Sequence, residues 1–337
     1  MSAFDEVLLR LQNEQKVWLV TGCAGFIGSN LVEFLLKHNQ KVVGLDNLST
    51  GYVKNIEEFI EDKNFRFIKG DITNRDLVFD VCKDIDIILH QASLGSVPRS
   101  IKNPLNTNNS NITGFITLLD VAKDRGIKKF VYASSSSVYG DNKDLPKVEE
   151  ITGNPLSPYA VTKATNELYA KVFYNIYNIP TIGLRYFNVF GKRQNPNGEY
   201  SAVIPKWIDS MLDDREIYIN GDGSTSRDFS YIDNIIQMNI LAGLSENQDA
   251  FGDVFNVAFG GQSSLIELYN TISTTIKKLL PNIKISQPIY RDYRQGDIKD
   301  SNANIKKAQK IFGYEPRYDI NSGIDLTVKW YFDDKCN

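Results

Sequence analysis

The fold is decided by residues 16–28, which read Lys-Val-Trp-Leu-Val-Thr-Gly-Cys-Ala-Gly-Phe-Ile-Gly. The first six form an apolar run without alternation, which is typical of a strand buried on both faces of a parallel sheet. Apolar residues then recur at helical spacing from Leu31 to Leu36, so a helix follows the turn. The turn contains three glycines, Gly22, Gly25 and Gly28. Glycines at such a strand–helix turn let the backbone approach a pyrophosphate closely, so this unit predicts a dinucleotide site.

A second apolar strand, Lys41–Asp46, strengthens this interpretation, since a glycine-rich strand–helix turn alone is often only structural. This strand ends in Asp46, which lies 18 residues after Gly28. An acidic residue roughly 20 residues past the turn contacts the adenosine ribose hydroxyls in dinucleotide folds. Because a carboxylate there would repel a 2′-phosphate, the sequence predicts NAD and not NADP as the cofactor.

Composition narrows the class of protein. The chain has 337 residues, 42% of them hydrophobic, and a formal net charge of −3, which argues against a nucleic-acid partner. No apolar run approaches the roughly 18 residues of a membrane span, and the N-terminus reads as an amphipathic helix and not as a signal peptide. Three scattered cysteines suit free thiols in a reducing cytosol, and no zinc-ligand spacing exists. We therefore expect a cytoplasmic protein without a metal site.

Strand-like and helical segments alternate through the first half of the chain. This alternation is typical of an α/β protein with a doubly wound parallel sheet of the Rossmann type. The predicted strands are 16–21, 41–46, 65–68, 85–90, 129–133, 181–185 and 254–257. The predicted helices are 53–61, 76–83, 107–123, 158–177 and 202–211, with two more in the tail.

The alternation breaks after Tyr186, where the chain becomes rich in Gly, Asn, Pro and Asp. We therefore expect a smaller α/β lobe for the substrate, interleaved with the first. The predicted division assigns residues 1–187 and 229–258 to the NAD-binding domain, and 188–228 and 259–337 to the other. Ligands in such sheets bind at the carboxyl ends of the strands. Those ends carry Gly22–Gly28, Asp46-Asn47, Gly70-Asp71-Ile72, Gln91-Ala92-Ser93, Ser134-Ser135 and Asn188.

The candidate catalytic pair is Tyr159 and Lys163. They stand four residues apart, which places both on one face of a helix. A free tyrosine has a pKa near 10, too high for a general base at neutral pH. The charge of Lys163, with that of an oxidised nicotinamide, is expected to lower the pKa of the phenol. Ser157-Pro158 reads as helix cap and first helical residue, so Tyr159 falls in the first turn.

Several motifs together resemble the extended short-chain dehydrogenase/reductase family. They are Thr-Gly-x-x-Gly-Phe-Ile-Gly at 21–28, Ser-Ser-Ser-Ser-Val-Tyr-Gly at 134–140, Pro-Tyr-x-x-x-Lys at 158–163 and Arg-Tyr-Phe-Asn-Val-Phe-Gly at 185–191. Within the family the chain is most similar to the UDP-hexose 4-epimerases. Residues 94–100 and 220–229 resemble the subgroup that acts on N-acetylated UDP-sugars, including uronic-acid forms.

The resemblance implies site residues in three sets. The catalytic residues are Tyr159 as the base, Lys163 as its partner and Ser135, which lies 24 residues before the tyrosine. The cofactor residues are Gly22, Gly25, Phe26, Ile27, Gly28, Asp46, Asn47, Ser49, Gly51, Asp71, Ile72, Gln91, Ala92, Ser93, Tyr159, Lys163, Tyr186 and Val189. The substrate residues are Gly95, Ser96, Ser135, Ser136, Tyr159, Asn188, Val203, Tyr218, Asn220, Arg227, Arg294, Asp297 and Ser301. A homodimer built through helices 107–123 and 158–177 is also implied.

Two positions discriminate among reactions and substrates. The family's 4,6-dehydratases and decarboxylases carry acidic residues before Val-Tyr-Gly, where this chain has Ser136-Ser137, so epimerisation is favoured over elimination. Ser301 matches a site where a bulky aromatic marks hexose-only relatives, and a serine leaves room for an N-acetyl group. The resemblance thus implies C4 epimerisation of UDP-GlcNAc/UDP-GalNAc through a 4-keto intermediate. The corresponding uronic acids, a nucleotide-sugar oxidoreductase and a non-catalytic dinucleotide sensor remain open.

Overall fold

A computed structural model describes residues 1–198, 201–293 and 300–336. Its centre is a seven-stranded sheet in the order β11-β6-β5-β4-β1-β2-β3, and every neighbouring pair is parallel. The strands are β1 (Val17–Thr21), β2 (Lys41–Asp46), β3 (Phe65–Lys69), β4 (Ile87–His90), β5 (Lys129–Ser135), β6 (Thr181–Tyr186) and β11 (Asp253–Val257). The strand order reverses between β1 and β4, which confirms the predicted doubly wound Rossmann-type fold.

Helices cover both faces of the sheet, so the strands bury side chains in two separate cores. In β1, Trp18 and Val20 pack into one core and Leu19 into the other, as the two-residue period of a strand requires. The helices that bound the sheet are α1 (Ala3–Asn13), α2 (Phe26–Lys37), α3 (Arg75–Val81), α6 (Gly114–Arg125), α7 (Pro158–Tyr177) and α9 (Ile232–Leu244). Helices α2 and α9 contact one face, and α7, with α6 beside it, contacts the other.

Three two-stranded sheets and the remaining helices lie beside the carboxyl ends of the main strands. The sheets pair β7 (Val189–Phe190) with β10 (Ser230–Tyr231), β8 (Tyr218–Asn220) with β13 (Ile289–Arg291), and β9 (Ser226–Arg227) with β12 (Ser263–Ser264). The helices are α4 (Val97–Lys102), α5 (Pro104–Asn108), α8 (Val203–Leu212), α10 (Leu265–Leu279), α11 (Lys306–Phe312) and α12 (Ile320–Cys336). These pairings join chain segments that lie far apart in sequence, since β8 and β13 are separated by about 70 residues.

Four helix predictions need correction. The helix expected at 53–61 is two short 3-10 turns, Val53–Asn55 and Glu57–Phe59, because Ile56 leaves the helical region at φ −120°. The helix expected at 107–123 starts earlier, at Pro104, and contains a π-helical turn over Asn109–Thr113. The described residues of the tail form three helices, α10, α11 and α12, where two were expected. Helix α9 was not predicted, because it is buried along almost its whole length and shows no amphipathic period.

Candidate functional site

The glycine turn joins β1 to the N-terminus of α2. Gly22 has φ +68°, and a Cβ there would lie 2.8 Å from the backbone nitrogen of Ala92. A Cβ on Gly28 would lie 2.0 Å from the Gly22 carbonyl oxygen, so a larger residue would force the turn open. Gly25 caps α2 without any side-chain hydrogen bond. The first-turn N–H groups of α2 therefore keep their donors for an anion, as a pyrophosphate requires.

Asp46, at the end of β2, is anchored against this turn. Its Oδ2 accepts a hydrogen bond from the backbone N–H of Ala24 at 3.0 Å, and its Oδ1 accepts one from Leu48 N–H at 2.7 Å. Each carboxylate oxygen has a further lone pair for a ligand hydroxyl. Burial raises the pKa of Asp46, and the two backbone hydrogen bonds oppose that shift. The carboxylate predicted to meet a ribose is thus held rigidly at the edge of the turn.

Most of the predicted cofactor residues line one cavity of about 80 Å³ at the carboxyl ends of β1, β2 and β4. Those that line it are Gly22, Gly25, Asp46, Asn47, Ser49, Gly51, Ile72, Gln91, Ala92 and Ser93. Asp71 lies beside the cavity, where its carboxylate accepts a hydrogen bond of 2.7 Å from the Asn47 side chain. Val189 lies in β7, where it pairs with Ser230. At Gly22 and Gly28 there is no room for a side chain, so the backbone can approach a ligand closely beside the first-turn N–H groups of α2. This arrangement fits the dinucleotide predicted from the sequence.

Ser135, Tyr159 and Lys163 converge where β5 ends against the first turns of α7. The Ser135 hydroxyl lies close enough to the Tyr159 phenol to act on its pKa, and it accepts a hydrogen bond of 3.1 Å from the backbone N–H of Ser137. Since Ser135 is the acceptor in the hydrogen bond with Ser137, that bond leaves the hydrogen of its own hydroxyl available to donate. The Lys163 Nζ lies 5.9 Å from the centre of the Tyr159 ring and donates to the Ala133 carbonyl oxygen at 2.7 Å. The three predicted catalytic side chains therefore form one group.

The electrostatics of this group differ from the expectation in one respect. Burial raises the pKa of the Tyr159 phenol, and the hydrogen bond from Ser135 opposes this. Burial lowers the pKa of Lys163 to about 8, and the carboxylate of Glu167 opposes that shift. In the protein alone the pKa of Tyr159 is therefore raised, because desolvation is the largest cause. The lowering expected from Lys163 together with an oxidised nicotinamide stays a prediction.

A buried ion pair between Arg185 and Glu167 lies next to the end of β5. Arg185 donates two parallel hydrogen bonds to the Glu167 carboxylate, one of 2.9 Å from Nε and one of 2.8 Å from Nη2. The same carboxylate accepts a hydrogen bond of 2.5 Å from the Ser134 hydroxyl, next to Ser135. Arg185 also donates to the hydroxyl of Tyr139, in the turn after the serine run. A fork of this kind fixes direction as well as distance, so it holds the serine run in place relative to α7.

A larger cavity, of about 510 Å³, opens beside this group between β8, β13, β9 and α8. Five predicted substrate residues line it: Asn188, Val203, Tyr218, Asn220 and Arg227. Asn188 follows β6 by two residues, and Tyr186 at the end of β6 is the register partner of Ser135. The cavity therefore reaches the end of the sheet where the catalytic group lies. Its volume is within the range of pockets that hold a ligand of drug size.

Sequence reasoning missed several residues of this cavity, including Trp207, Phe229, Lys206 and Arg291. The Arg291 guanidinium lies 3.2 Å from the centre of the Tyr218 ring, which it reaches because β13 pairs with β8. Arg291 stands in a segment without a recognisable motif, and only the pairing across the chain brings it here. The sequence signal that could have indicated a role for Arg291 was an apolar run near residue 289 beside this charged residue.

Some predicted substrate residues do not line the larger cavity. Ser96 caps α4 by accepting a hydrogen bond of 3.2 Å from Arg99 N–H, and Gly95 precedes it with open space around its α-carbon. Ser136 begins the turn after β5. Ser301 donates its backbone N–H to the Ser226 carbonyl oxygen at 3.2 Å, one residue from Arg227. Arg294 and Asp297 lie outside the described residues.

Tyr186 is joined to the cofactor cavity by a polar contact. Its hydroxyl accepts a hydrogen bond of 2.9 Å from Asn239 Nδ2, and its single hydrogen can donate either to Gln91 Oε1 at 3.2 Å or to Asn239 Oδ1 at 3.1 Å. Gln91 lines the cofactor cavity and Asn239 lies on α9. Burial raises the pKa of Tyr186 far above its ordinary value, so its hydroxyl stays protonated and acts as a hydrogen-bonding group.

Comparison with protein-family models gives one match of direct relevance. Residues 18–258 match the NAD dependent epimerase/dehydratase family. The chain belongs to this family. The matched region begins in β1 and ends one residue past β11, so it covers the whole seven-stranded sheet. NAD is accordingly the cofactor of the fold, in agreement with the prediction from Asp46 and the glycine turn.

Individual relatives cover nearly the whole chain. A putative UDP-glucose 4-epimerase of Methanocaldococcus jannaschii is 37% identical over 314 residues, which is 93% of this chain and 97% of that protein. The UDP-N-acetylglucosamine 4-epimerase of Methanobrevibacter ruminantium M1, solved with UDP-N-acetylmuramic acid, has a TM-score of 0.88 and 39% identity, covering 95% of this chain and 99% of its own. The UDP-glucuronic acid 4-epimerase of Bacillus cereus, solved with UDP-glucuronic acid and NAD, has a TM-score of 0.84 and 32% identity, covering 94% and 99%.

The described residues show neither a metal-binding cluster nor a membrane-spanning helix. No cluster of three or more His, Cys, Asp or Glu side chains is arranged there to hold a metal ion. His90 lies instead in an apolar setting beside Phe115 and Phe130, with its Nδ1 2.8 Å from the Thr21 hydroxyl, and burial lowers its pKa to about 3. Within 1–198, 201–293 and 300–336, no helix has both the length and the apolar character needed to span a bilayer.

Proposed function

We propose that this protein is a UDP-sugar 4-epimerase that acts on N-acetylated substrates, UDP-GlcNAc and UDP-GalNAc. The observation that carries the proposal is that Tyr159 and a buried Lys163 lie together on α7 at the end of β5, near the Ser135 hydroxyl. A phenol with a hydroxyl donor at its side is the acid–base equipment for taking a proton from a sugar hydroxyl and returning it.

Tyr159 is the proposed base, which removes the proton of the sugar 4-hydroxyl. Ser135 donates a hydrogen bond to the same sugar oxygen, using the hydrogen that its contact with Ser137 leaves free. Lys163, whose ammonium is buried at the end of β5, supplies a positive charge on the side of the phenol facing the sheet. Bound NAD would supply the hydride acceptor, and then the hydride donor, for C4 of the sugar.

The residues that would hold NAD are those of the glycine turn and the small cavity. The first-turn N–H groups of α2 bind the pyrophosphate, and Asp46 accepts hydrogen bonds from the adenosine ribose. Lys163 and Tyr186 are proposed to contact the nicotinamide end, because both lie where β5 and β6 finish.

The larger cavity is proposed to take the nucleotide part of the substrate. Arg227 and Arg291 both line it, and two guanidinium groups suit the oxygens of a diphosphate. Trp207 and Phe229 offer apolar surface in the same cavity for a uracil ring. Arg294 and Asp297 keep the nucleotide roles that the resemblance implies.

An N-acetylated sugar is supported by the small side chain of Ser301 and by the likeness to a UDP-N-acetylglucosamine 4-epimerase. The alternative is the corresponding uronic acid, which the likeness to a UDP-glucuronic acid 4-epimerase keeps open. Ser136 and Ser137 stand where the acidic residues of dehydratases would be expected, which favours epimerisation over elimination.

A homodimer is proposed through α7. Apolar side chains at 161, 168, 172 and 176 recur at helical spacing, and Leu168 is 68% exposed. Leu105 of the adjacent α5 is 83% exposed, which extends the patch. Contiguous exposed apolar surface of this kind marks an interaction face. The division into a cofactor domain and an interleaved substrate domain, at the boundaries predicted above, is part of the same proposal.

The test is incubation of the purified protein, without added cofactor, with UDP-GlcNAc, UDP-glucose and the uronic acid of UDP-GlcNAc, each followed by NMR. Appearance of the galacto epimer fastest from UDP-GlcNAc would support the proposal, and faster conversion of the uronic acid would favour the alternative. A Tyr159→Phe variant is expected to lose turnover while keeping its bound NAD. If it epimerised at a near-normal rate, Tyr159 would not be the base.

A further inference from the structure

Residues 225–229 form one wall of the larger cavity with alternate side chains. The members that line the cavity are Thr225, Arg227 and Phe229. Between them, Ser226 and Asp228 are 7% and 0% exposed and do not line it. This alternation is that of an extended chain, in which successive side chains point to opposite faces. Ser226 and Asp228 therefore lie behind the wall, on the side away from the cavity.

The carboxylate of Asp228 joins two distant segments to the back of this wall. Its Oδ2 accepts hydrogen bonds from Gly260 N–H at 3.1 Å and Ala303 N–H at 3.2 Å. These donors lie 32 and 75 residues further along the chain. The backbone carbonyl of Asp228 accepts a third hydrogen bond, of 3.0 Å, from Asn188 Nδ2. Asp228 thus also holds a side chain that lines the cavity.

Ser226 binds the same two segments. Its hydroxyl donates to the Asp300 carboxylate and accepts a hydrogen bond of 2.5 Å from Gln262 Nε2. Its carbonyl oxygen accepts from Ser301 N–H at 3.2 Å and from Arg227 Nη1 at 2.8 Å. The guanidinium proposed to meet the diphosphate and the backbone of Ser301 therefore bind one oxygen atom.

The two segments also bind each other, since Asn302 Nδ2 donates to the Gly261 carbonyl oxygen at 2.8 Å. Residues 226–228, 259–263 and 300–303 thus form one hydrogen-bonded junction behind the cavity wall. Because its members lie far apart in sequence, the position of the wall depends on these side-chain contacts.

Asp228 is an expensive residue to keep in this junction. It is fully buried, and its Oδ1 has no hydrogen-bond partner within the described residues. Burial raises the pKa of Asp228 to about 7, and the N–H groups of Ala303 and Gly260 oppose that shift. Burial of a carboxyl group with one oxygen unpaired lowers stability. A contribution to stability alone therefore does not explain an aspartate at this position.

We propose that Asp228 and Ser226 are positioning residues for the UDP-sugar, which fix Arg227, Asn188 and Ser301 relative to the cavity. The inference rests on the proposed function, because it assumes that the larger cavity takes the nucleotide part of a UDP-sugar. Neither side chain lines that cavity, so each acts through the residues that do. Their loss should weaken substrate binding and leave the chemical step at Tyr159 and the NAD site unchanged.

The experiment uses the full chain in its NAD-loaded form and two variants. Asp228→Asn keeps the shape of the side chain but removes its charge, and Ser226→Ala removes the hydroxyl that binds Asp300 and Gln262. Initial rates of epimerisation of UDP-GlcNAc and of UDP-glucose are measured by NMR over a range of concentrations. Asp228→Asn is expected to raise KM at least tenfold and Ser226→Ala at least threefold, with kcat changed less than threefold. Such a split marks lost binding that ground state and transition state share.

Each variant has a matched control. Asp86→Asn removes a carboxylate that accepts the backbone N–H of Val17 at 3.0 Å, at the opposite end of the sheet. Ser322→Ala removes a hydroxyl that donates to Asp319, near the start of α12. Both controls should keep KM within twofold of the wild type. The NAD content of all four variants, measured after denaturation, should equal that of the wild type.

Binding without turnover is measured by calorimetric titration of both UDP-sugars into the Tyr159→Phe form of each protein, and affinities should fall by the same factors as KM rises. An unchanged KM in Ser226→Ala would overturn the proposal even if Asp228→Asn failed to fold. So would a loss confined to kcat, or equal effects in the controls. A wild type that converted UDP-glucose alone would contradict the N-acetylated substrate, while the KM comparison with UDP-glucose would still decide on positioning. A wild type that bound neither UDP-sugar would overturn the proposed function and this inference together.

Discussion

The buried lysine of the catalytic group makes a quantitative prediction about stability. Burial lowers the pKa of Lys163 from 10.5 to about 8, whereas the unfolded chain keeps the ordinary value near 10.5. Between these two values the unfolded chain holds a proton that the folded protein has released. The free energy of unfolding therefore rises with pH in this window. Below about pH 8 it does not change with the titration of Lys163, because the folded and unfolded chains both hold the proton.

The perturbation is Lys163→Met, which keeps a flexible side chain on α7 but removes the titrating group. At about 1.4 kcal/mol for each pH unit, the wild-type protein should gain about 2 kcal/mol over the variant between pH 7 and 9.5. Loss of the hydrogen bond to the Ala133 carbonyl shifts the variant by the same amount at every pH, so it cancels in the difference. Lys129, whose pKa burial also lowers to about 8, is present in both proteins and cancels as well.

The assay is urea denaturation followed by circular dichroism at pH 7, 8, 9 and 9.5, with both proteins at the same NAD occupancy. The quantity compared is the free energy of unfolding of the wild type minus that of the variant. A difference that stays constant with pH would refute the reasoning, because Lys163 would then keep its proton in the folded protein. A difference that falls with pH would mean that its pKa is raised by a neighbouring anion.

Three further predictions concern the cofactor turn, the sugar and the proposed dimer. Gly28→Ala places a Cβ 2.0 Å from a carbonyl oxygen of the same turn, so it should weaken NAD binding at least tenfold in calorimetric titration. The control Gly95→Ala has open space around its Cβ and should bind NAD normally. Equal NAD affinities of the two variants would contradict the turn geometry. Ser301→Tyr should reduce the epimerisation of UDP-GlcNAc more than that of UDP-glucose in NMR assays, and equal losses would remove Ser301 from substrate selection. Leu168→Glu should convert the dimer to a monomer in light scattering after gel filtration, while Leu326→Glu on the exposed face of α12 should not; a variant that stays dimeric would place the interface elsewhere.

The sequence predictions are accurate for features that depend on interactions between residues close together in the chain. The glycine turn, the strand ending in Asp46 and the spacing of Tyr159 and Lys163 depend on backbone sterics and helical period within a few residues. These features occur in the structure at the expected positions. Helix α9 was missed because its residues are buried on nearly all sides, which removes the amphipathic signal on which helix prediction relies.

The features that prediction missed arise from contacts between distant segments. Arg291 reaches Tyr218 only because β13 pairs with β8. Asn30 and Gln237 line the same cavity although about 200 residues separate them. The direction of the Tyr159 pKa shift depends on burial by surrounding elements, which the spacing to Lys163 does not reveal.

By itself, then, the sequence determined the doubly wound sheet and NAD as the cofactor, and it proposed Ser135, Tyr159 and Lys163 as a catalytic trio, because each of these features depends on short contiguous motifs. Only the tertiary structure decided that Arg291 lines the large cavity and that Lys163 and Tyr159 are desolvated. Burial and long-range pairing depend on how the whole chain packs. Hydrogen bonding and steric limits within one turn depend on a handful of neighbouring residues, so only these can be derived from sequence alone.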